Sequence, residues 1–214
     1  MRNTLALCFV LLLMAAGPCP AGATDAQPAP AWLDPDRLTY GEIRFSPPKP
    51  QRVVLENGLT VYTLEDRELP LVQVSFIVGA GSVFEPDGKA GLAELTGDAM
   101  RTGGAGELGG DEVDEQLDYL AAPVSVNVGM EYGTGSLSVL KRDLEKAFRI
   151  FADILRRPAF EEAKVEHAKN LKIEELRRVS DAPQRLAFRE FRRVLYAGNP
   201  RGRLPEIQTI EAIT

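Results

Sequence analysis

The sequence predicts an α+β fold, a mostly antiparallel sheet with helices packed on one face. Three observations carry that expectation. β-branched residues alternate around a tight turn near the start of the folded region. Two further alternating runs return in the middle of the chain. From residue 143 onward the apolar residues recur with helical period. The resulting order is β-β-β-α-α-β-β-α-α-α.

Each element has its own signal. "RVVLENGLTVYTLED" reads as a hairpin around Asn57-Gly58, a strong short turn signal. "LPLVQVSFIVGAGSVFEP" supplies a third strand with Val72, Val74 and Phe76 on one face. "GLAELTGDAMRTGG" reads as a helix with Glu94 and Asp98 four residues apart on one side. "GGAGELGG", Gly103 to Gly110, reads as a mobile connection or a rim facing a partner. Asp111 is expected to cap a short helix with Val113, Leu117 and Leu120 inward, stopped before Pro123.

"VSVNVGMEYGTGSLSVL" gives two strands, with Val124, Val126 and Val128 alternating. They form either a buried strand or an edge that accepts an extended peptide. Asp143 opens a helix with an apolar stripe of Leu144, Ala147, Phe148, Phe151, Ile154 and Leu155, ended by Pro158. A charged helix then runs from Phe160 to about Val179, and "PQRLAFREFRRVLY" forms another. "IQTIEAIT" reads as the start of a further helix, as expected of part of a longer protein.

The N-terminus sets the compartment. Arg2 precedes the apolar run Leu5 to Gly17, and Ala21-Gly22-Ala23 offers a signal-peptidase site, so residues 1–23 read as a secretory signal. The run is shorter than the roughly 20 residues of a membrane span, so no stable membrane insertion is expected. A lipid anchor on Cys19 is disfavoured by Pro18 before it. Secretion across the inner membrane places the product in the periplasm. Residues 24–50 form a Pro-rich leader and residues 51–214 the folded domain.

Composition excludes several chemistries. Cys8 and Cys19 both lie in the signal, which leaves the mature chain without a disulfide, thiolate ligand or cysteine nucleophile. A net charge of −6 without a basic cluster argues against nucleic acid as a partner. The glycine-rich segment lacks the lysine of a phosphate-cradling loop. With one histidine, His167, no Ser-His-Asp triad suggests itself.

"NGLTVYTLED" followed by "VSFIVGAGSVFEPDGKAGLAE", with "EHAKNLKIEELRRVSDAPQ" and "LYAGNPRGR" downstream, resembles the insulinase/pitrilysin zinc peptidases, the inverzincins. The family unit is about twice this length, two such halves in tandem. Its zinc helix reads G-L-A-H-x-x-E-H: two histidines at i and i+4 bind one Zn²⁺, and the glutamate acts as general base. A glutamate from a distant helix completes the ligand set.

On this chain the resemblance puts Glu94 at the first histidine, Gly97 at the base and Asp98 at the second histidine. Glu175 takes the third-ligand position, 77 residues beyond Asp98 (175 − 98). The frame is kept and the ligands are replaced, so no catalytic residue and no bound zinc are expected. His167 reads as a polar residue of an amphipathic helix.

Glu94, Asp98 and Glu175 together offer the oxygen ligands that a hard cation such as Ca²⁺ or Mg²⁺ prefers. The plainer reading pairs Glu94 and Asp98 with Arg101 and nearby lysines, and Glu174 and Glu175 with Arg178. Gly97 costs a helix about 1 kcal/mol relative to alanine, which reflects either lost duty or close approach of another element.

Three functions follow from the resemblance. The first is a non-catalytic subunit that helps a catalytic partner carrying H-x-x-E-H enclose and bind peptide substrates. The second is a zinc-dependent peptidase with an atypical or partner-supplied site. The third is a periplasmic scaffold or binding protein of the same fold.

Overall fold

A computed structural model describes residues 38, 41, 42 and 44–214, and the expected signal peptide and most of the Pro-rich leader lie outside the described residues. The chain divides into two compact units, residues 1–65 and 66–214.

In the first unit, β1 (Gln51–Val54) pairs antiparallel with β2 (Thr60–Thr63), in the register Gln51↔Thr63 to Val54↔Thr60. Gly58 N–H donates to Leu55 O at 2.9 Å, and Leu55 N–H donates to Leu59 O at 2.9 Å. Gly58 has a φ of 84°, the left-handed residue of a three-residue hairpin loop. The Asn57-Gly58 signal thus marks the hairpin, with the turn one residue longer than the tightest form.

The second unit holds β3 (Leu71–Val78), β4 (Val124–Val128) and β5 (Gly133–Leu140), antiparallel in the order β3-β5-β4. Its helices are α1 (Leu92–Thr102), α2 (Gly110–Tyr119), α3 (Leu144–Arg156), α4 (Glu162–Arg177), α5 (Pro183–Leu195) and α6 (Ile207–Glu211). Strand alternation makes the sheet two-faced. Val74, Phe76, Val124, Val126, Leu137 and Val139 point to the main core, where Val113, Leu117, Ala147, Ile150, Phe151 and Ile154 meet them. The other face carries Ser125 and Ser136, whose hydroxyls lie 2.8 Å apart, and exposed Gln73 and Ser75.

A second, smaller cluster joins Leu92 and Leu95 of α1 to Ala168, Ile173 and Leu176 of α4 and to Ile210 and Ile213 at the end of the chain. α1 is therefore wedged between the sheet and α4, with Met100 packed on the main core.

Three local expectations are corrected. α2 is capped by Gly109, whose N–H donates to Glu112 Oε2 at 2.9 Å, while Asp111 sits in the first turn and pairs with Lys164 across to α4. In α3 the buried stripe runs through Ala147, Ile150, Phe151 and Ile154, which turns Phe148 outward to 47% exposure. Gly103 to Gly110 is not the loosely held connection expected, because its backbone is bonded to the segment after α3. Gly106 N–H donates to Arg157 O, Ala159 N–H to Gly104 O and Glu161 N–H to Gly103 O, all within 3.0 Å. Ala105 is 1% exposed.

Ile154 is fully buried and Phe148 is not, so the two should respond differently to truncation. Ile154→Ala is expected to cost about 2–5 kcal/mol in urea unfolding, against about 1 kcal/mol or less for Phe148→Ala. Equal losses would contradict the stripe described.

Candidate functional site

The site is built around α1, and α1 is positioned by groups on either side of its first turn. Gly91 precedes it with a φ of 101°, and a Cβ there would fall 2.5 Å from Ile210 Cδ1. Neither the cap residue nor the first turn supplies a side-chain acceptor. Glu85, 7% exposed, does so from six residues upstream. Its Oε1 accepts from Ala93 N–H at 2.7 Å and from Gly91 N–H at 3.1 Å, placing negative charge at the positive end of the helix. Arg203 donates to Glu85 O at 2.7 Å and pairs with Asp87 at 2.8 Å.

Glu94 and Asp98 project from α1 toward α4, and Glu175 faces them from α4. Lys172, one turn before Glu175, enters the space they share. Its Nζ donates to Glu94 Oε1 at 2.7 Å and to Glu175 Oε2 at 2.9 Å. The Lys172 side chain is 12% exposed, whereas Glu94 and Glu175 are about half exposed at 49% and 54%. Asp98 lies within electrostatic reach of the same three groups.

The charges adjust accordingly. Partial burial raises the Asp98 carboxyl above its ordinary value, Glu94 and Glu175 add to the rise, and Lys172 opposes it. For Lys172, burial disfavours the charge, but the hydrogen bonds to Glu94 and Glu175 outweigh it and the net shift is upward. A lysine raised in the folded state stabilises it fully below its unfolded pKa and loses that contribution as pH climbs through the folded one. The ammonium is thus in place at neutral pH.

Glu94 does pair with a lysine, as the plainer reading of the sequence had it, but the partners otherwise differ in detail. Arg101 turns away from Glu94 and Asp98, pairing with Asp114 and donating to Val124 O at 3.0 Å. Glu174 pairs with Arg177, and Glu175 with Lys172, where Arg178 was expected for both. His167 is exposed on α4.

These residues do not fit a zinc ion. Zinc needs lone pairs converging on a free centre. Here two of the three carboxylates already accept from an ammonium in that centre, and the chain's one histidine is exposed elsewhere on α4. Among the described residues no group of three or more His, Cys, Asp or Glu side chains is placed to hold a metal. The position of the general base is Gly97, which has no side chain to move a proton.

Gly97 has a packing reason. A Cβ there would lie 3.2 Å from both Val128 N and Val128 Cγ2, and 3.6 Å from Val126 O. The helix backbone is seated directly against β4. That strand is a sheet edge, with Val124, Val126 and Val128 directing their N–H and C=O groups away from β5. Arg101 holds one of those carbonyls and Gly97 abuts the next. Beside α1, an open apolar groove of about 380 Å³ is lined by Phe76, Val78, Leu92, Thr96, Met100 and Val126, among others.

Sequence reasoning missed Lys172 and Glu85. Lys172 was visible as the basic residue three positions before Glu175, the spacing of a helical ion pair. Glu85 matches no local capping pattern, which expects a carboxylate within the first turn.

The close contact predicts the cost of refilling position 97. Gly97→Glu is expected to lose about 1–3 kcal/mol by chemical denaturation, since overpacking outweighs the gain in helix propensity. Gly97→Ala should change stability by less than about 1 kcal/mol. A Gly97→Glu variant as stable as the parent would show that α1 is not seated on β4 as described.

A model of the insulinase peptidases (peptidase family M16) matches residues 60–204. An uncharacterized zinc protease of Rickettsia bellii is 26% identical over 159 residues, 73% of this chain and 38% of that protein. Mouse mitochondrial-processing peptidase subunit beta is 24% identical over 81% of this chain and 36% of its own length. The chain thus spans under two fifths of these relatives. Among solved structures, a peptidase M16 inactive domain from Pseudomonas fluorescens superimposes with a TM-score of 0.72 at 24% identity, over 78% of this chain and 41% of that one. The periplasmic protease PqqL of Escherichia coli gives 0.68 at 18% identity, over 78% of this chain and 18% of that one. With the family model covering more than half of its residues, the chain belongs to the insulinase family, peptidase family M16.

Proposed function

We propose that the chain is a non-catalytic member of this family, a pseudo-peptidase subunit that binds no zinc and helps a catalytic partner carrying H-x-x-E-H enclose peptide substrates. The observation that carries the reading is the Lys172 ammonium held between Glu94 and Glu175, with glycine at the base position. A site so filled has neither the ligands to bind the metal nor the base to activate water. The relatives support it as well: one structural neighbour is a peptidase M16 inactive domain, and mitochondrial-processing peptidase subunit beta and cytochrome b-c1 complex subunit 1 of cattle are subunits. The N-terminal signal pattern, the periplasmic neighbour and the lack of any membrane-crossing helix among the described residues support a periplasmic setting.

In this reading the chain contributes surface to the substrate. The edge of β4 at Val124, Val126 and Val128, which the sequence offered as a peptide-accepting strand, is covered instead by α1, with Arg101 on Val124 O and the Gly97 backbone against Val126 O and Val128 N.

Two measurements test the proposal. Elemental analysis and peptide cleavage are expected to show no stoichiometric zinc and no EDTA-sensitive activity for the chain alone. Cleavage should appear, or rise, on mixing with an H-x-x-E-H partner of the family. Stoichiometric zinc with EDTA-sensitive cleavage by the purified chain would overturn it.

A further inference from the structure

We infer that Lys172 is a built-in cation standing where the resemblance places the metal, and that it joins α1 to α4 without any ion from solution. Three features converge on it. Its Nζ bridges carboxylates on two different helices, Glu94 on α1 at 2.7 Å and Glu175 on α4 at 2.9 Å. It is the most buried member of the bridge, its side chain 12% exposed while its partners remain half exposed. The third carboxylate, Asp98, leaves the cluster with more negative than positive charge, so the ammonium is the only attractive centre among these four groups.

The setting makes the joint necessary. α4 has no fully buried residue, and its apolar contribution to the small cluster is limited to partly buried Ala168, Ile173 and Leu176. Lysines reach from it to neighbouring elements: Lys164 pairs with Asp111 on α2, and two others have stems that are largely covered. Lys169 donates to Ile213 O at 2.8 Å beside α6, and Lys172 to Glu94 on α1. Without Lys172, Glu94 and Asp98 would face Glu175 across the helix junction with no compensating charge. Like charges brought together by tertiary packing repel in the folded state and separate in the unfolded one.

The role differs from that of an ordinary surface ion pair. A surface pair contributes little when either partner is removed. Here removal of the cation and removal of an anion have opposite consequences for the groups that remain. Lys172→Met leaves three uncompensated carboxylates, and a subsequent Glu94→Gln relieves them. The inference does not depend on whether the chain assists a peptidase, because its readout is the folding of this chain alone.

Thermal unfolding of the full chain tests it. Lys172→Met is expected to lower the midpoint by roughly 3–8 °C. Adding Glu94→Gln and Glu175→Gln should restore at least half of that loss, whereas the two glutamine changes in the parent chain should lower the midpoint. The parent's midpoint should be unchanged by EDTA and by Zn²⁺ or Ca²⁺ in modest excess. If Lys172→Met does not fold, Lys172→Arg, which keeps the charge, should fold with a midpoint close to the parent's. The inference is overturned if Lys172→Met melts with the parent, if the glutamine changes lower both backgrounds equally, if Lys172→Arg fails along with the methionine variant, or if divalent ions raise the parent's midpoint.

Discussion

The carboxylate of Glu85, accepting from the N–H groups of Gly91 and Ala93, determines where α1 begins, and the rest of the second unit is arranged around that helix. α1 is shared by both hydrophobic clusters. Met100 packs on the main core with the sheet, α2 and α3, while Leu92 and Leu95 belong to the cluster with α4 and the C-terminal segment. A shift of α1 by one residue would rotate its side chains by about 100° and lose both contacts. Glu85 is buried and bonded to the helix at the end where negative charge is favourable, so its burial is compensated.

The same helix has two other faces, and both have become structural. At Gly97 the backbone lies against the edge of β4, close enough that a Cβ would crowd Val128. At Glu94 and Asp98 the carboxylates meet Lys172 and Glu175. Catalysis needs a site whose groups are held apart around a reacting centre, with lone pairs directed into free space. Here that space is filled by a side chain of the same protein. The absence of the two histidines and the presence of the lysine act in one direction: the cluster of carboxylates carries its own positive charge. The Lys172 bridge links α1 to α4 with little burial of its partners, which stay half in water.

Much of the fold was legible in the residues because periodicity is a local property. The β alternation of Val124 and Val126, the hairpin around Asn57-Gly58 and the stripe through Ala147, Phe151 and Ile154 each follow from side-chain spacing along one element. The errors arose where spacing leaves a choice. Phe148 and Ile150 both border the α3 stripe, and only the position of the sheet selects Ile150. Gly103 to Gly110 has the composition of a flexible connection, yet its backbone finds partners in a segment some fifty residues later.

The candidate site divides in the same way. The residues alone settled which groups were missing: with one histidine in the chain and glycine at the base position, no arrangement of them rebuilds the family's zinc centre. What fills the vacated position was settled by packing. Lys172 and Glu94 are 78 positions apart and meet because α1 and α4 pack together. Electrostatic energy depends on distance in space, and linear order constrains that distance only within a turn or two of helix.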